Sequence, residues 1–113
     1  MQVKEVQFKS ENVTLRGELY LPEQVIAPGI LVCHAMHGEG FRWLPLYREF
    51  AGKAAERGFA CLLFDFHGCG LSEGEFNYGH GEQSDARAAL RFLLGQKEVD
   101  AANAYAVGRS LGG

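Results

Sequence analysis

The first fifth of the chain alternates between apolar and polar residues. The stretch Val3–Phe8 alternates loosely, and in residues 13–21 (VTLRGELYL) every second position from Val13 is apolar or glycine. A period of two predicts half-buried β-strands. Turn-forming residues 10–12 (SEN) separate the two stretches, so the sequence predicts that they pair as an antiparallel hairpin.

Three later stretches are apolar without alternation. Residues 29–34 (GILVCH), 59–66 (FACLLFDF) and 103–107 (NAYAV) are short and mostly apolar, which predicts strands buried on both faces of a parallel sheet. Segments with helical spacing, 44–57 and 82–94, separate them. The order β-β-β-α-β-α-β predicts an α/β domain in which an antiparallel hairpin borders right-handed parallel βαβ units.

The spacing of apolar residues also predicts which side of each helix faces the sheet. In the first helix one stripe comprises Leu46, Phe50 and Ala54, with Tyr47, Ala51 and Ala55 beside it. In the second helix the inward residues are Ala86, Ala89, Leu90 and Leu93. Ser84 or Asp85, near the start of that helix, is expected to serve as a cap.

Composition and charge narrow the classes of function. The chain has 113 residues, of which 47% are hydrophobic, and a net charge of −3, which suits one globular domain. This mild acidity gives no electrostatic reason to expect nucleic acid or a membrane surface as a partner. The N-terminus lacks the apolar core of a signal peptide. An odd number of cysteines, Cys33, Cys61 and Cys69, favours free thiols and a cytoplasmic protein.

The last predicted strand leads into residues 108–112 (GRSLG), a G-x-S-x-G pattern. On a sharp strand-to-helix turn, the serine of this pattern exposes its hydroxyl as a nucleophile, and the glycines allow close backbone packing. The pattern alone occurs often by chance. Its place after the third buried strand of a βαβ series favours a nucleophile over an inert turn, which makes Ser110 the candidate nucleophile.

Three motifs in order make the chain resemble the N-terminal half of the α/β-hydrolase fold, with most similarity to the serine aminopeptidase and prolyl-oligopeptidase-like branches. Residues 30–36 (ILVCHAM) resemble the strand and His-Gly that begin the oxyanion loop. Residues 64–74 (FDFHGCGLSEG) resemble the family's F-D-x-R-G-x-G-x-S-x-G loop, and residues 108–112 resemble its nucleophile elbow. The resemblance covers nearly the whole chain.

The chain departs from the family pattern at two positions before the nucleophile. His34-Ala35 stands where the family has His-Gly, and His37-Gly38 is a second candidate for that position. His67 stands where the family has arginine.

The resemblance implies a serine hydrolase that cleaves an ester or peptide bond of a small substrate through an acyl-enzyme on Ser110, without a cofactor. It also implies an oxyanion hole formed by the backbone N–H of Leu111 and, if His34-Ala35 takes the His-Gly position, by that of Met36. His34 is expected to hold its loop and Asp65 to brace the loop that follows it, neither acting as a catalyst.

The family's triad acid and histidine follow the nucleophile in chain order, beyond Gly113. None of the four histidines present, His34, His37, His67 and His80, is expected to act as the base. We therefore expect residues 1–113 to be a partial α/β-hydrolase domain that stops just after its nucleophile and is inactive alone. A missing C-terminal half or a second chain would complete the sheet. The alternative is a non-catalytic or complementing fragment that docks on a partner.

Two cofactor interpretations are not favoured. The histidines and cysteines lack the paired close spacing typical of zinc sites. The glycines of residues 68–74 follow a strand but are spaced G-x-G-x-x-x-G, one residue longer than the dinucleotide fingerprint. The sequence therefore predicts neither a metal nor a cofactor.

Overall fold

The chain folds around one mixed β-sheet. A computed structural model describes residues 1–23, 26–35, 38–75 and 82–108. Within these residues the sheet has five strands in the order β1-β2-β4-β3-β5. The elements are β1 (Gln2–Ser10), β2 (Val13–Leu21), β3 (Ala27–Cys33), α1 (Pro45–Glu56), β4 (Ala60–Phe64), α2 (Glu82–Leu94) and β5 (Val99–Gly108), with a 3₁₀ turn at Gly40–Trp43.

The predicted hairpin is confirmed. β1 and β2 pair antiparallel from Gln2 opposite Leu21 to Ser10 opposite Val13. The alternation has its expected effect, because three leucines on one face of β2 are buried in the core: Leu15, Leu19 and Leu21.

The three later strands are parallel, as predicted, and their ends are aligned. β3 pairs in parallel with β4 on one side and with β5 on the other, while β4 pairs antiparallel with β2. Cys33 at the end of β3 lies opposite Phe64 of β4 and Gly108 of β5. The loops that follow the three strands therefore start at one edge of the sheet.

The helices cover opposite faces of the sheet. All five residues of β4 are buried, and because side chains alternate along a strand, Leu62 packs in the cluster that contains Leu93 of α2. Leu63 packs in the cluster that contains Tyr47 and Ala51 of α1. Burial of each leucine contributes roughly 1.5–3 kcal/mol, which holds the three layers together as the predicted α/β architecture.

The two helices closely match their predicted spans. α1 is one residue shorter at each end than predicted, and α2 has the predicted bounds. Ala89 and Leu93 are fully buried, as expected, while Ala86 and Leu90 are partly buried against the same core. Neither helix in the described ranges is long and apolar enough to cross a membrane.

The predicted stripe on α1 is wrong in part. Leu46 is 50% exposed and Phe50 is 40% exposed, whereas the alanines and Tyr47 face the sheet. Small side chains let α1 approach β4 and β2, which turns the two larger residues towards β5. There they line an open apolar cleft together with Val107.

The prediction of a third strand buried on both faces is also wrong. β5 is longer than predicted, and its side chains are mostly exposed, with Tyr105 at 58% and Val107 at 44%. The reason is its position, because among the described residues β5 is an edge strand and β3 is its sole partner. Only its first residue, Val99, is buried in the core beneath α2.

Candidate active site

The aligned strand ends bring the sequence motifs to one edge of the sheet. His34 follows β3 and Asp65 follows β4, while Gly108 ends β5 directly beside Cys33. Ser110 lies two residues beyond Gly108 in the chain. The predicted site residues Ser110, Leu111 and Met36 lie outside the described residues, as do His37 and His80, so their roles stay predictions.

His34 holds the loop after β3 (residues 34–44, the β3 loop). Its side chain is fully buried, and its Nε2 accepts a hydrogen bond of 3.1 Å from the backbone N–H of Phe66. Since that N–H can only donate, the ring proton is on Nδ1, which donates to the carbonyl oxygen of Ala35. His34 therefore ties the β3 loop to the loop after β4 (residues 65–75, the β4 loop), as expected of a structural histidine.

Both sides of Met36–His37 are anchored. The N–H of Ala35 donates to the hydroxyl of Tyr47 at 2.8 Å, and the carbonyl oxygen of Gly38 accepts from the N–H of Gly70 at 2.7 Å. Because the Ala35 N–H is already engaged, it is not a free donor for a substrate oxygen. The backbone that precedes and follows the proposed oxyanion donor is thus fixed by α1 on one side and by the β4 loop on the other.

Asp65 is a buried carboxylate shared by the two loops. Its Oδ1 accepts from the N–H of Phe41 at 2.9 Å, and its Oδ2 accepts from the N–H of Leu71 at 3.1 Å and from Arg42 Nε at 3.2 Å. Burial raises the pKa of the Asp65 carboxyl, while these hydrogen bonds and the charge of Arg42 act in the opposite direction. The prediction that Asp65 braces the loop that follows it is confirmed, and it also holds the preceding one.

Two glycines allow both loops to approach this carboxylate. Gly40 has φ 66° and Gly70 has φ 51°, a region that residues with a Cβ rarely adopt. A Cβ on either residue would also overlap the Asp65 carboxylate. Glycine is therefore required on both sides of Asp65.

A second buried carboxylate, that of Asp85, has a role that the sequence did not predict. Asp85 of α2 is 2% exposed and accepts hydrogen bonds from Ser10 Oγ at 2.7 Å, from the His67 N–H at 2.8 Å and from His67 Nδ1 at 2.6 Å. His67 Nε2 lies 3.9 Å from Glu82 Oε2. His67 is therefore bound to α2, and Asp85 acts as an internal tether instead of a cap.

The sequence did contain a signal for this tether. Asp85 lies four residues before Ala89 and eight before Leu93, both fully buried, so it shares their stripe of the helix. A charged residue on an inward stripe requires buried hydrogen-bond partners. That reasoning would have predicted a partner for Asp85 on the sheet or on the β4 loop.

The three cysteines are not nucleophiles in this fold. Burial raises the pKa of Cys61 to about 12 and that of Cys33 to about 11, and burial with nearby carboxylates raises the pKa of Cys69 to about 11. The reactive thiolate is therefore scarce at neutral pH. Within the described part of the chain, no three histidine, cysteine or acidic residues come together as a metal site.

Comparison with known proteins extends the similarity over almost the whole chain. An uncharacterized protein of Mycobacterium tuberculosis (strain H37Rv) is 36% identical over 111 residues, which are 96% of this chain and 38% of that protein. The quorum-quenching protein AidA of Acinetobacter baumannii (strain MDR-ZJ06) is 30% identical over 113 residues, 96% of this chain and 36% of that protein. The chain thus spans little more than a third of these curated relatives.

Solved structures agree on the fold. One of them is the crystal structure of XC6422 from Xanthomonas campestris, described as an α/β serine hydrolase without lid. It superposes on this chain with a TM-score of 0.77 at 25% sequence identity. The match covers 96% of this chain and 50% of XC6422. The family model described as X-Pro dipeptidyl-peptidase (S15 family) matches residues 11–113. With the hairpin, the parallel strands and the two motif loops arranged as above, the chain belongs to the X-Pro dipeptidyl-peptidase (S15) family and has the N-terminal half of the α/β-hydrolase fold.

Proposed function

We propose that residues 1–113 are the N-terminal part of a serine hydrolase that cleaves ester or peptide bonds through an acyl-enzyme on Ser110. One observation carries the proposal. Gly108 ends β5 in register with Cys33, so the chain enters its G-x-S-x-G pattern at the same sheet edge as the anchored β3 loop. The description of XC6422 as a serine hydrolase supports this assignment.

The proposed mechanism is acyl transfer. Ser110 Oγ attacks the carbonyl carbon of the substrate, and its proton passes to a histidine supplied beyond residue 113, which an acidic residue orients. The N–H groups of Leu111 and Met36 stabilise the negative oxygen of the tetrahedral intermediate, each donor contributing about 3 kcal/mol. The histidine then protonates the leaving group, and water hydrolyses the acyl-enzyme. These steps need no metal or cofactor.

Exposed apolar surface supports the view that further protein completes this half-domain. The outer edge of β5 has no partner strand among the described residues, and the cleft between α1 and β5 is lined by Leu46, Phe50 and Val107, all at least 40% exposed. In our proposal, this further protein corresponds to the part of the curated relatives that lies outside the matched region. A second candidate function, also supported by this surface, is a non-catalytic fragment that docks on a separate partner chain.

The test uses the product of the complete reading frame, assayed on p-nitrophenyl acetate and on an X-Pro p-nitroanilide. We expect Ser110→Ala to lower kcat at least about 1,000-fold, and a fluorophosphonate probe to label Ser110 in the wild type. Ser84→Ala, which changes a serine on α2, is the matched control and should leave kcat unchanged. Turnover that survives in Ser110→Ala would contradict the proposal.

The isolated chain distinguishes the two candidate functions. If residues 1–113 are part of one longer hydrolase, we expect the chain alone to be inactive and to regain activity only when joined to its C-terminal half. A monomer of 113 residues that unfolds cooperatively would count against the docking alternative, because such a fragment would not need a partner to fold.

We also propose a reducing, cytoplasmic location. All three cysteines lie in the described residues, and each is buried and free of a disulfide. Reduced buried thiols are typical of proteins kept in reducing compartments. Fractionation of the native host, with the protein detected by antibody, tests this proposal, and recovery from the extracellular medium would contradict it.

A further inference from the structure

The β3 and β4 loops converge on a single side chain. Both oxygens of Asp65 accept hydrogen bonds, one from the β3 loop through Phe41 N–H and the other from the β4 loop through Leu71 N–H. Arg42 of the β3 loop donates to the same oxygen as Leu71. The direct backbone bond from Gly70 to Gly38 is 2.7 Å long and lies beside this carboxylate. Asp65 therefore fixes the distance between the two loops.

The position of this contact along the chain gives it a catalytic consequence. The β3 loop is held before residue 36 by Tyr47, which belongs to α1. It is held after residue 37 by Gly38 and Phe41, which are both joined to the β4 loop. If the second anchor moved, the β3 loop would keep its anchor at Ala35 but lose the one that begins at Gly38.

We propose that Asp65 is a positioning residue for the oxyanion hole, because its carboxylate holds the β3 loop against the β4 loop at Phe41, on the C-terminal side of the proposed oxyanion donor. The inference rests on the proposed function, in which the N–H of Met36 stabilises the developing oxyanion. Asp65 touches no reacting atom and acts through the β3 loop, which it contacts at the Phe41 N–H and the Arg42 side chain. The requirement for glycine at positions 40 and 70, beside the same carboxylate, shows how closely the two loops are built around it.

Asp65→Asn changes this contact while keeping the shape of the side chain. A carboxylate can accept on both oxygens, but an amide presents one oxygen and one NH₂ donor. In the variant, the NH₂ group must face either the N–H of Phe41 or the donors Leu71 N–H and Arg42 Nε. One loop therefore loses its hydrogen bonds to residue 65, while the Gly70–Gly38 backbone bond remains. We expect this loosened contact to weaken the positioning of the oxyanion donor.

Loss of positioning has a kinetic signature that loss of stability lacks. An oxyanion donor acts mainly in the transition state, so its displacement lowers kcat and leaves KM nearly unchanged. We expect Asp65→Asn to lower kcat about 10- to 100-fold, in the range known for displacements of about 1 Å. A boronic acid inhibitor places an oxygen in the oxyanion hole when it bonds to the serine, so its affinity should fall in the same proportion.

Asp85→Asn is the matched control. Asp85 is also an almost fully buried carboxylate with three hydrogen bonds, but they join β1, α2 and His67 and none reaches the β3 loop. Both variants lose stability, so the assays are run well below each melting temperature. The protein assayed is the product of the complete reading frame, with p-nitrophenyl acetate as substrate and phenylboronic acid as inhibitor.

The outcomes separate this inference from the proposed function. A fall in kcat and in boronate affinity for Asp65→Asn but not for Asp85→Asn supports it, while equal values for the two variants overturn it. Full activity in Ser110→Ala would overturn the proposed function itself, whatever the Asp65 result.

A second pair of variants serves if Asp65→Asn does not fold. Arg42 and Arg48 both pair with Glu18 and lie over the Phe41 ring, but only Arg42 donates to Asp65. We expect Arg42→Met to lower kcat and boronate affinity about 3- to 10-fold and Arg48→Met to leave them unchanged. Equal effects of the two substitutions would overturn the inference.

Discussion

Replacement of Asp85 by alanine should be among the most damaging single changes outside the catalytic residues. The side chain joins three parts of the fold, since α2 carries it, Ser10 ends β1, and His67 belongs to the β4 loop. Asp85→Ala leaves two donors of His67 and the hydroxyl of Ser10 without their acceptor. All three residues are at most 8% exposed, so water cannot readily replace the carboxylate.

The expected magnitude follows from the number and kind of these bonds. A hydrogen bond to a charged group contributes about 1.5–3 kcal/mol, so three independent bonds would give at least about 4.5 kcal/mol. The bonds share one acceptor and are not additive, and the Ser10 hydroxyl can rotate. We therefore expect a loss of about 4 kcal/mol, slightly below the sum for three independent bonds.

Urea unfolding followed by far-ultraviolet circular dichroism measures this loss. With an m-value of about 2 kcal/mol/M, the midpoint should fall by about 2 M. Asp100→Ala is the control, because Asp100 also accepts two hydrogen bonds but both are exposed to water. We expect this substitution to cost less than about 0.5 kcal/mol. A double-mutant cycle with Ser10→Ala should give a coupling of about 1–2 kcal/mol.

Two results would refute this reasoning. If Asp85→Ala costs no more than Asp100→Ala, the buried tether does not stabilise the fold. If the cycle with Ser10→Ala shows no coupling, the hydroxyl and carboxylate act independently, and the loss has another origin such as the void left by the side chain.

Two further predictions concern the sheet. A Cβ on Gly17 would come within 2.9 Å of the Phe64 Cα across the β2–β4 pair, so Gly17→Ala should lower the free energy of unfolding in urea by about 2–3 kcal/mol. Gly52→Ala is the control, because a Cβ there meets nothing within 4 Å. It should leave stability unchanged or stabilise α1. Burial raises the pKa of Cys33 to about 11 and that of Cys61 to about 12, from 9.0. The folded chain therefore keeps thiol protons that the unfolded chain loses above pH 9. The free energy of unfolding should fall between pH 9 and 11 by at most about 1.4 kcal/mol per pH unit for each thiol. Cys61→Ala should make this fall less steep, and an unchanged slope in the urea midpoints would contradict the assignment.

Periodicity was sufficient to predict the elements, but not the exposure of β5 and of two large residues on α1. The alternation of β2 indicates a strand buried on one face, and the apolar runs around Leu31 and Leu62 indicate strands buried on both faces. The hairpin and the parallel strands could therefore be predicted. The exposure of Tyr105 could not be predicted. A run of apolar residues indicates a strand that is covered on both faces, but it does not indicate which part of the protein covers it. The same limit explains Phe50, which faces β5 instead of the sheet centre.

The site could be predicted where chemistry constrains the backbone. Asp65 and His34 follow the ends of parallel strands, and polar groups there must find partners in the neighbouring loops, so a bracing role could be anticipated. The role of Asp85 was missed because its helix position suggested a cap, and only its placement four residues before Ala89 reveals that it faces inward. The atoms of Ser110 and Met36 lie outside the described residues, so their roles rest on sequence and on the strand register.

The strand order β1-β2-β4-β3-β5 also has a consequence for synthesis on the ribosome. β2 and β3 are consecutive in the chain but not neighbours in the sheet, since β4 is inserted between them. At about 5–20 residues per second, roughly 2–8 seconds separate the synthesis of Leu21, where β2 ends, from that of Ala60, where β4 begins. Throughout this interval the hairpin presents an unpaired edge of β2 to other nascent chains. Arg16 and Glu18, both charged and in the middle of that strand, disfavour edge-to-edge association until β4 arrives.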